Sequence, residues 1–106
     1  MDDIIYKDIT NGNYYLITMK ENDVYNICVD LKTFNNKIIT NDVIDKCQKI
    51  QLNKNNIYNI LNDLNYIDLS YIDLKDYNNY NYLIYKSQTI KINNWIDFFN
   101  FIATLI

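Results

Sequence analysis

Asp68, Asp73 and Asp76 lie close together in this sequence. Clustered carboxylates can hold a divalent cation or divide acid and base duties between them. None of the three falls in a D-x-D-x-D-G ligand loop, so no metal and no cofactor is expected. The two thiols, Cys28 and Cys47, are expected to stay reduced and to serve as small core residues. The missing residue types say more. The chain has no His, the usual general base and commonest metal ligand. It has no Arg, which removes the bidentate fork used for phosphate and guanine. A single Gly excludes a glycine-rich phosphate cradle. No nucleophile-base pair can be assembled with His, and the expectation is a protein that is not an enzyme.

The remaining candidate is Tyr77 to Tyr85, YNNYNYLIY. Tyrosine rings give contact area at low entropic cost and amides supply adaptable hydrogen bonds, the chemistry of recognition loops. Tyr77, Tyr80 and Tyr82 are the candidate partner-binding residues, the first two on a loop expected over 76–81 and the third at the start of the strand that follows. The same two residue types recur at Asn13-Tyr14-Tyr15, so composition contributes to the pattern.

The chain holds 19 Asn, 19 Ile and 11 Tyr among 106 residues, all types with AT-rich codons. An AT-rich genome, such as that of a virus or phage, is the simplest source. The N-terminal MDDIIYKDI is acidic and lacks a basic-then-apolar leader, so an intracellular, cytoplasmic protein is expected.

The elements that must position these residues start with two β-branched, aromatic runs, 3–9 and 13–20. They flank Asn11-Gly12, the strongest short-range hairpin signal, for which a type I′ turn is expected. Residues 24–32 alternate strictly: Tyr25, Ile27, Val29 and Leu31 on one face, Asn26, Cys28, Asp30 and Lys32 on the other. This is the pattern of a half-buried strand completing a three-stranded antiparallel meander. From Thr40 the spacing of Val43, Ile44, Cys47 and Ile50 predicts a helix, and Ile57, Ile60, Leu61 and Leu64 a second one capped by Asn53 or Asn55. The direct repeat Tyr66-Ile67-Asp68-Leu69 and Tyr71-Ile72-Asp73-Leu74 reads either as strand with a bend near Ser70 or as an extension of the second helix. Tyr82–Tyr85 predicts a strand, with a further turn over Lys86–Thr89.

The segment Cys47–Leu64 resembles the helix-turn-helix core of winged-helix domains, with a small residue at Cys47 and apolar ones at Ile50, Leu52, Ile57, Ile60, Leu61 and Leu64. That resemblance implies Lys54, Asn55, Tyr58 and Asn59 at a major groove and 66–85 as the wing. A net charge of -3 with scattered Lys predicts weak phosphate neutralisation and argues against nucleic acid. Gly12-Asn13-Tyr14-Tyr15 followed by Tyr25-Asn26-Ile27 is similar to the opening of GIY-YIG nucleases. That family implies a downstream Arg and a metal-binding Glu, whereas this chain lacks Arg and its sole glutamate is Glu21.

Asn94–Ile106 predicts a C-terminal helix capped by Asn93 or Asn94, whose polar residues Asp97, Asn100 and Thr104 occupy a stripe about 60° wide. Apolar residues wrap the other sides, so the helix is expected to be enclosed on more than one side, by the core or by a second subunit in a homodimer. A membrane span would need roughly 18 or more uninterrupted apolar residues, so none is expected. Together these features predict one α+β domain over 1–106, in the approximate order β-β-β-α-α-β-β-α. The expected function is non-catalytic protein interaction, modulating a macromolecular partner.

Overall fold

The β-branched runs near the N-terminus pair as strands, and the change of period after Thr40 does mark a helix. In the computed structural model, which describes residues 4–20, 23–64, 72–77 and 80–105 (Tyr77 and Tyr80 by backbone alone), eight strands and three helices form among those residues. The fold is α+β with two antiparallel sheets. They belong to two compact units, one spanning 4–51 and the other built from Leu52 onward.

The first unit contains β1 (Ile4–Lys7), β2 (Tyr14–Lys20), β3 (Tyr25–Asp30), β4 (Asn36–Thr40), α1 (Asn41–Lys46) and β5 (Gln48–Gln51). Its sheet runs β4-β3-β2-β1-β5, so the expected meander is present and gains a strand at each edge. The hairpin at Asn11-Gly12 forms, but with a wider turn than type I′. Asp8 N–H donates to the Asn13 carbonyl at 2.8 Å and Gly12 N–H to the Asp8 carbonyl at 2.7 Å. The Asp8 carboxylate also accepts from Thr10 Oγ1 at 2.6 Å and from Thr10 N–H at 3.0 Å, an Asx turn that outcompetes the two-residue connection. These two bonds hold Asp8 below the usual carboxylate range. Gly12 alone of the turn takes positive φ, at 76°.

Along β3 the alternation is real but its sides are exchanged. Asn26, Cys28 and Asp30 are the buried residues, and Tyr25, Ile27 and Val29 are half-buried. The polar side faces inward because it has partners there. Asp30 is 2 % exposed, receives Lys37 Nζ at 2.8 Å and accepts Lys32 N–H at 2.9 Å. Cys28 packs with Tyr15 and Ile44.

The helix begun at Asn41 ends at Lys46, and Cys47 turns extended. Gln48–Gln51 then pairs along the whole of β1, Ile4 opposite Gln51 and Lys7 opposite Gln48. The two helices expected between Thr40 and Leu64 are therefore separated by a strand and do not form a helical hairpin. Ile50 fits helical spacing and strand alternation alike, and the free edge of β1 decides between them by offering a ladder of main-chain bonds.

The second unit contains α2 (Ile57–Asp63), β6 (Ile72–Tyr77), β7 (Tyr80–Tyr85), β8 (Gln88–Ile92) and α3 (Trp95–Thr104), its sheet running β6-β7-β8. Asn53 Oδ1 takes the N–H of Asn55 and of Asn56 at 2.8 and 2.9 Å, and Asn56 Oδ1 returns the bond to Asn53 N–H at 2.9 Å. This reciprocal box starts α2, whose expected face of Ile57, Ile60, Leu61 and Leu64 is buried. Of the direct repeat, Tyr66 to Tyr71 lies outside the described residues, as does the expected bend near Ser70. Ile72, Asp73 and Leu74 are strand, which removes the helical alternative at Leu74. The loop expected over 76–81 is instead strand at both ends, with Tyr77 paired to Tyr80.

Helix α3 is capped as expected: Asn94 Oδ1 accepts Asp97 N–H at 2.8 Å, and Asp97 Oδ2 accepts Asn93 N–H at 3.2 Å. Its buried residues are Trp95, Phe98, Phe99 and Ile102, one i, i+3, i+4, i+7 stripe. Phe98 meets Trp95 and Phe99 edge-on, each ring centre 5.3 Å away. Phe101, off that stripe, meets the ring of Tyr85 at 6.1 Å. The helix thus buries its widest residues within a single chain. Among the described residues no helix is long and apolar enough to cross a membrane.

Candidate functional site

Register decides what the tyrosine-rich segment can do. Across β6, β7 and β8, Lys75 lies opposite Tyr82 and Tyr82 opposite Lys91; one row further, Asp73 lies opposite Ile84 and Ile84 opposite Thr89. Residues two apart on a strand share a face, as do direct cross-strand partners. Positions 77, 80 and 82 therefore fall on one face of the sheet, together with Lys75, Ile84, Thr89 and Lys91. The other face carries Ile72, Leu74, Leu83 and Ile92, all buried.

On the open face Asp73, Lys75, Thr89 and Lys91 are exposed, and Tyr82 and Ile84 are half-buried. A shallow depression of about 280 Å³ is lined by Lys75, Tyr82, Ile84 and Thr89. Its walls are a ring, an aliphatic branch, a lysine stem and a threonine, with an ammonium at the rim. Lys75 and Asp73 approach to 3.7 Å, both more than half exposed, a pair worth little in solvent. Asp76 lies on the opposite face from Asp73 and binds Lys54 at 2.5 Å, so two members of the carboxylate cluster point apart; Asp68 lies outside the described residues. Among the described residues no group of three potential ligands could hold a metal ion.

The residues expected at a DNA groove are dispersed in role. Lys54 is taken up by Asp76, Asn55 sits in the turn before α2, Tyr58 reaches the Ile72 carbonyl with its hydroxyl at 3.4 Å, and Asn59 is exposed. Lys75, Ile84, Thr89 and Lys91 were not singled out in the sequence. Reading Asn78-Asn79 as a hairpin signal and alternating outward from it would have found them.

The first unit holds a polar cavity of about 410 Å³ between α1 and the sheet, lined in part by Lys20, Asn26, Asn41, Asp45, Cys47 and Lys49. Asn41 Nδ2 donates to the Asp23 carbonyl, which orients that amide, so Asn41 Oδ1 must accept from Asn26 Nδ2, at 2.6 Å. Asn26 Oδ1 is left without a partner among the described residues and sealed from solvent. The network anchors the start of α1 to β3. The Cys47 thiol donates to the Val43 carbonyl at 3.2 Å and is raised above its ordinary pKa by burial and by Asp8. Cys28 is pushed up to about 11 by burial and by Cys47. Both are thiols rather than nucleophilic thiolates near neutral pH.

Compared with family models, with curated proteins and with solved structures, the chain matches none.

Proposed function

We propose that this protein is a non-catalytic interaction module that binds an acidic segment of a partner protein on the open face of β6-β7-β8. The observation that carries the reading is the row Lys75–Tyr82–Lys91, a tyrosine with a lysine as its cross-strand partner on each side. Beside it, the depression at Ile84 and Thr89 accepts one apolar side chain, while the ammonium of Lys75 at its rim suits a flanking carboxylate. Positions 77 and 80 extend the same face toward the end of the hairpin. The thiols held protonated and the lack of His and Arg support a role without catalysis.

Its test is a titration of isotope-labelled protein with a short peptide of aspartates and glutamates around one leucine, followed by amide shifts. Perturbation confined to Lys75, Tyr82, Ile84, Thr89 and Lys91, lost in Tyr82→Ala and weakened at least about tenfold in Lys75→Glu, supports the proposal. Shifts at this face with a single-stranded oligonucleotide but not with the peptide would replace the protein partner by stacked bases. No response of this face to either probe would end the reading.

A further inference from the structure

We infer that two copies of this chain associate through β4, pairing antiparallel about a two-fold axis at Ile38 so that their five-stranded sheets run on as one. The inference is independent of the recognition face, which lies on the other unit.

The main chain is the first argument. Asn41 N–H donates to the Val24 carbonyl at 2.8 Å and Asp30 N–H to the Asn35 carbonyl at 3.0 Å. Between them the register runs from Tyr25 opposite Thr40 to Val29 opposite Asn36. Hydrogen-bonded and non-bonded pairs alternate in an antiparallel ladder, so Lys37 and Ile39 are the residues of β4 bonded to β3. Asn36, Ile38 and Thr40 consequently direct N–H and C=O away from β3, and among the described residues no strand pairs with β4 on that side. About an axis at Ile38, Ile38 meets its own counterpart and Asn36 meets Thr40 of the second copy. Thr40 is also the N-cap of α1, so its carbonyl serves the first bond of that helix. Ile38 then donates to and accepts from its counterpart, and each Thr40 N–H donates to the Asn36 carbonyl of the other copy, so the strand is its own complement through four bonds.

Side chains give the second argument. Met19, Ile27 and Ile38 are consecutive cross-strand partners on one face. The register shift between Ile17 and Met19 is a bulge that moves Met19 onto this face, opposite Ile27, instead of leaving it beside Ile17. Met19 is 56 % and Ile38 69 % exposed, so the apolar row runs out open at the edge. In the paired sheets it continues through Ile38 into the same three residues of the second copy.

Charge is the third. Natural edges are guarded by lysines, prolines or bulges that discourage pairing. The only charge on β4 is Lys37, and it is drawn onto the opposite face by Asp30 at 2.8 Å. Two such strands meet without like-charge repulsion. The other edge, β5, keeps exposed Lys49 as a guard.

Sedimentation equilibrium of the intact protein over a wide concentration range, combined with amide exchange, tests this. The expected result is a dimer in which the amides of Ile38 and Thr40 gain protection as concentration rises, while those of Lys37 and Ile39 stay protected throughout. Ile38→Lys places two ammoniums on the axis and weakens association by roughly a hundredfold or more. Ile38→Thr, which keeps the β-branched strand, weakens it less and shows that the fold survives change at this site. A monomer at every concentration, a dimer whose edge amides exchange at unchanged rates, or edge protection that appears only with some other protein would each overturn the inference.

Discussion

In the sheet β6-β7-β8 the residues turned inward are Ile72, Leu74, Leu83 and Ile92, whereas β3 turns Asn26, Cys28 and Asp30 inward and leaves Tyr25, Ile27 and Val29 half open. An apolar inner face needs only volume and shape from whatever packs on it. A polar one needs a specific partner for each group, and here Asp30 has Lys37 and the Asn26 Nδ2 has Asn41, while Asn26 Oδ1 is unmatched among the described residues. The two units should therefore fail for different reasons, the second by losing volume and the first by changing protonation. The open apolar side of β3 is the counterpart of that choice, since burying polar groups leaves hydrophobic ones outside.

The largest effect should come from the volume-dependent unit. Phe98 is fully buried and touches two further aromatic rings, so Phe98→Ala is expected to cost about 3–5 kcal/mol, from lost transfer energy plus a cavity. Denaturant melts of both proteins measure it. A loss under about 1 kcal/mol would mean that the inner face of this unit is loosely packed, and the contrast with β3 would collapse.

The polar unit should respond to alkali. Cys28 is pushed from 9.0 up to about 11 by burial and by Cys47, so the folded state favours the neutral thiol. Its contribution is fully present below about pH 9 and is lost as pH rises through 11, about 2–3 kcal/mol in all. Lys37 acts in the same direction: the hydrogen bond and charge of Asp30 raise it, so its support also fades as the ammonium deprotonates. Stability of the wild type minus that of Cys28→Ala, measured by chemical denaturation from pH 8 to 11, should fall across this window. A difference that stays level would show that desolvation of the thiol does not matter to the fold.

What could be read in advance follows the same division. Asn94 as a cap, the α2 face and the meander were legible because each rests on local chemistry: a side-chain oxygen reaching a free N–H, an i, i+3, i+4 repeat, two β-branched runs around Asn-Gly. The inversion of β3 was not, because alternation gives the period of a strand and not the side on which its partners stand. Gln48–Gln51 was misassigned for a related reason, since its one apolar residue, Ile50, satisfies both periods. Strand β4 carries little signal of its own, because Lys37-Ile38-Ile39 is its whole strand-like run and the helical signal at Thr40 follows at once. On the open face of β6-β7-β8 Tyr82 stands out by type, but Lys75 and Lys91 become its neighbours only through register.

The smallest effect concerns the second of those hairpins. Tyr85 pairs with Gln88, leaving Lys86 and Ser87 as a two-residue connection. Lys86 adopts φ 54°, the region that costs an ordinary side chain strain and that hairpin turns usually assign to glycine or asparagine. Neither residue type is present, which is why this turn carries so little signal. Lys86→Gly is expected to stabilise the protein by about 0.5–1 kcal/mol, reduced by the greater freedom of glycine in the unfolded chain and by loss of the ammonium from the Tyr85 ring, 5.3 Å away. Thermal melting measures it, with a rise of a few degrees. Because the substitution touches neither inner face, its gain should be the same in the wild type and in Cys28→Ala; a gain that differed between them would tie this turn to the protonation-dependent unit and blur the division between the two sheets.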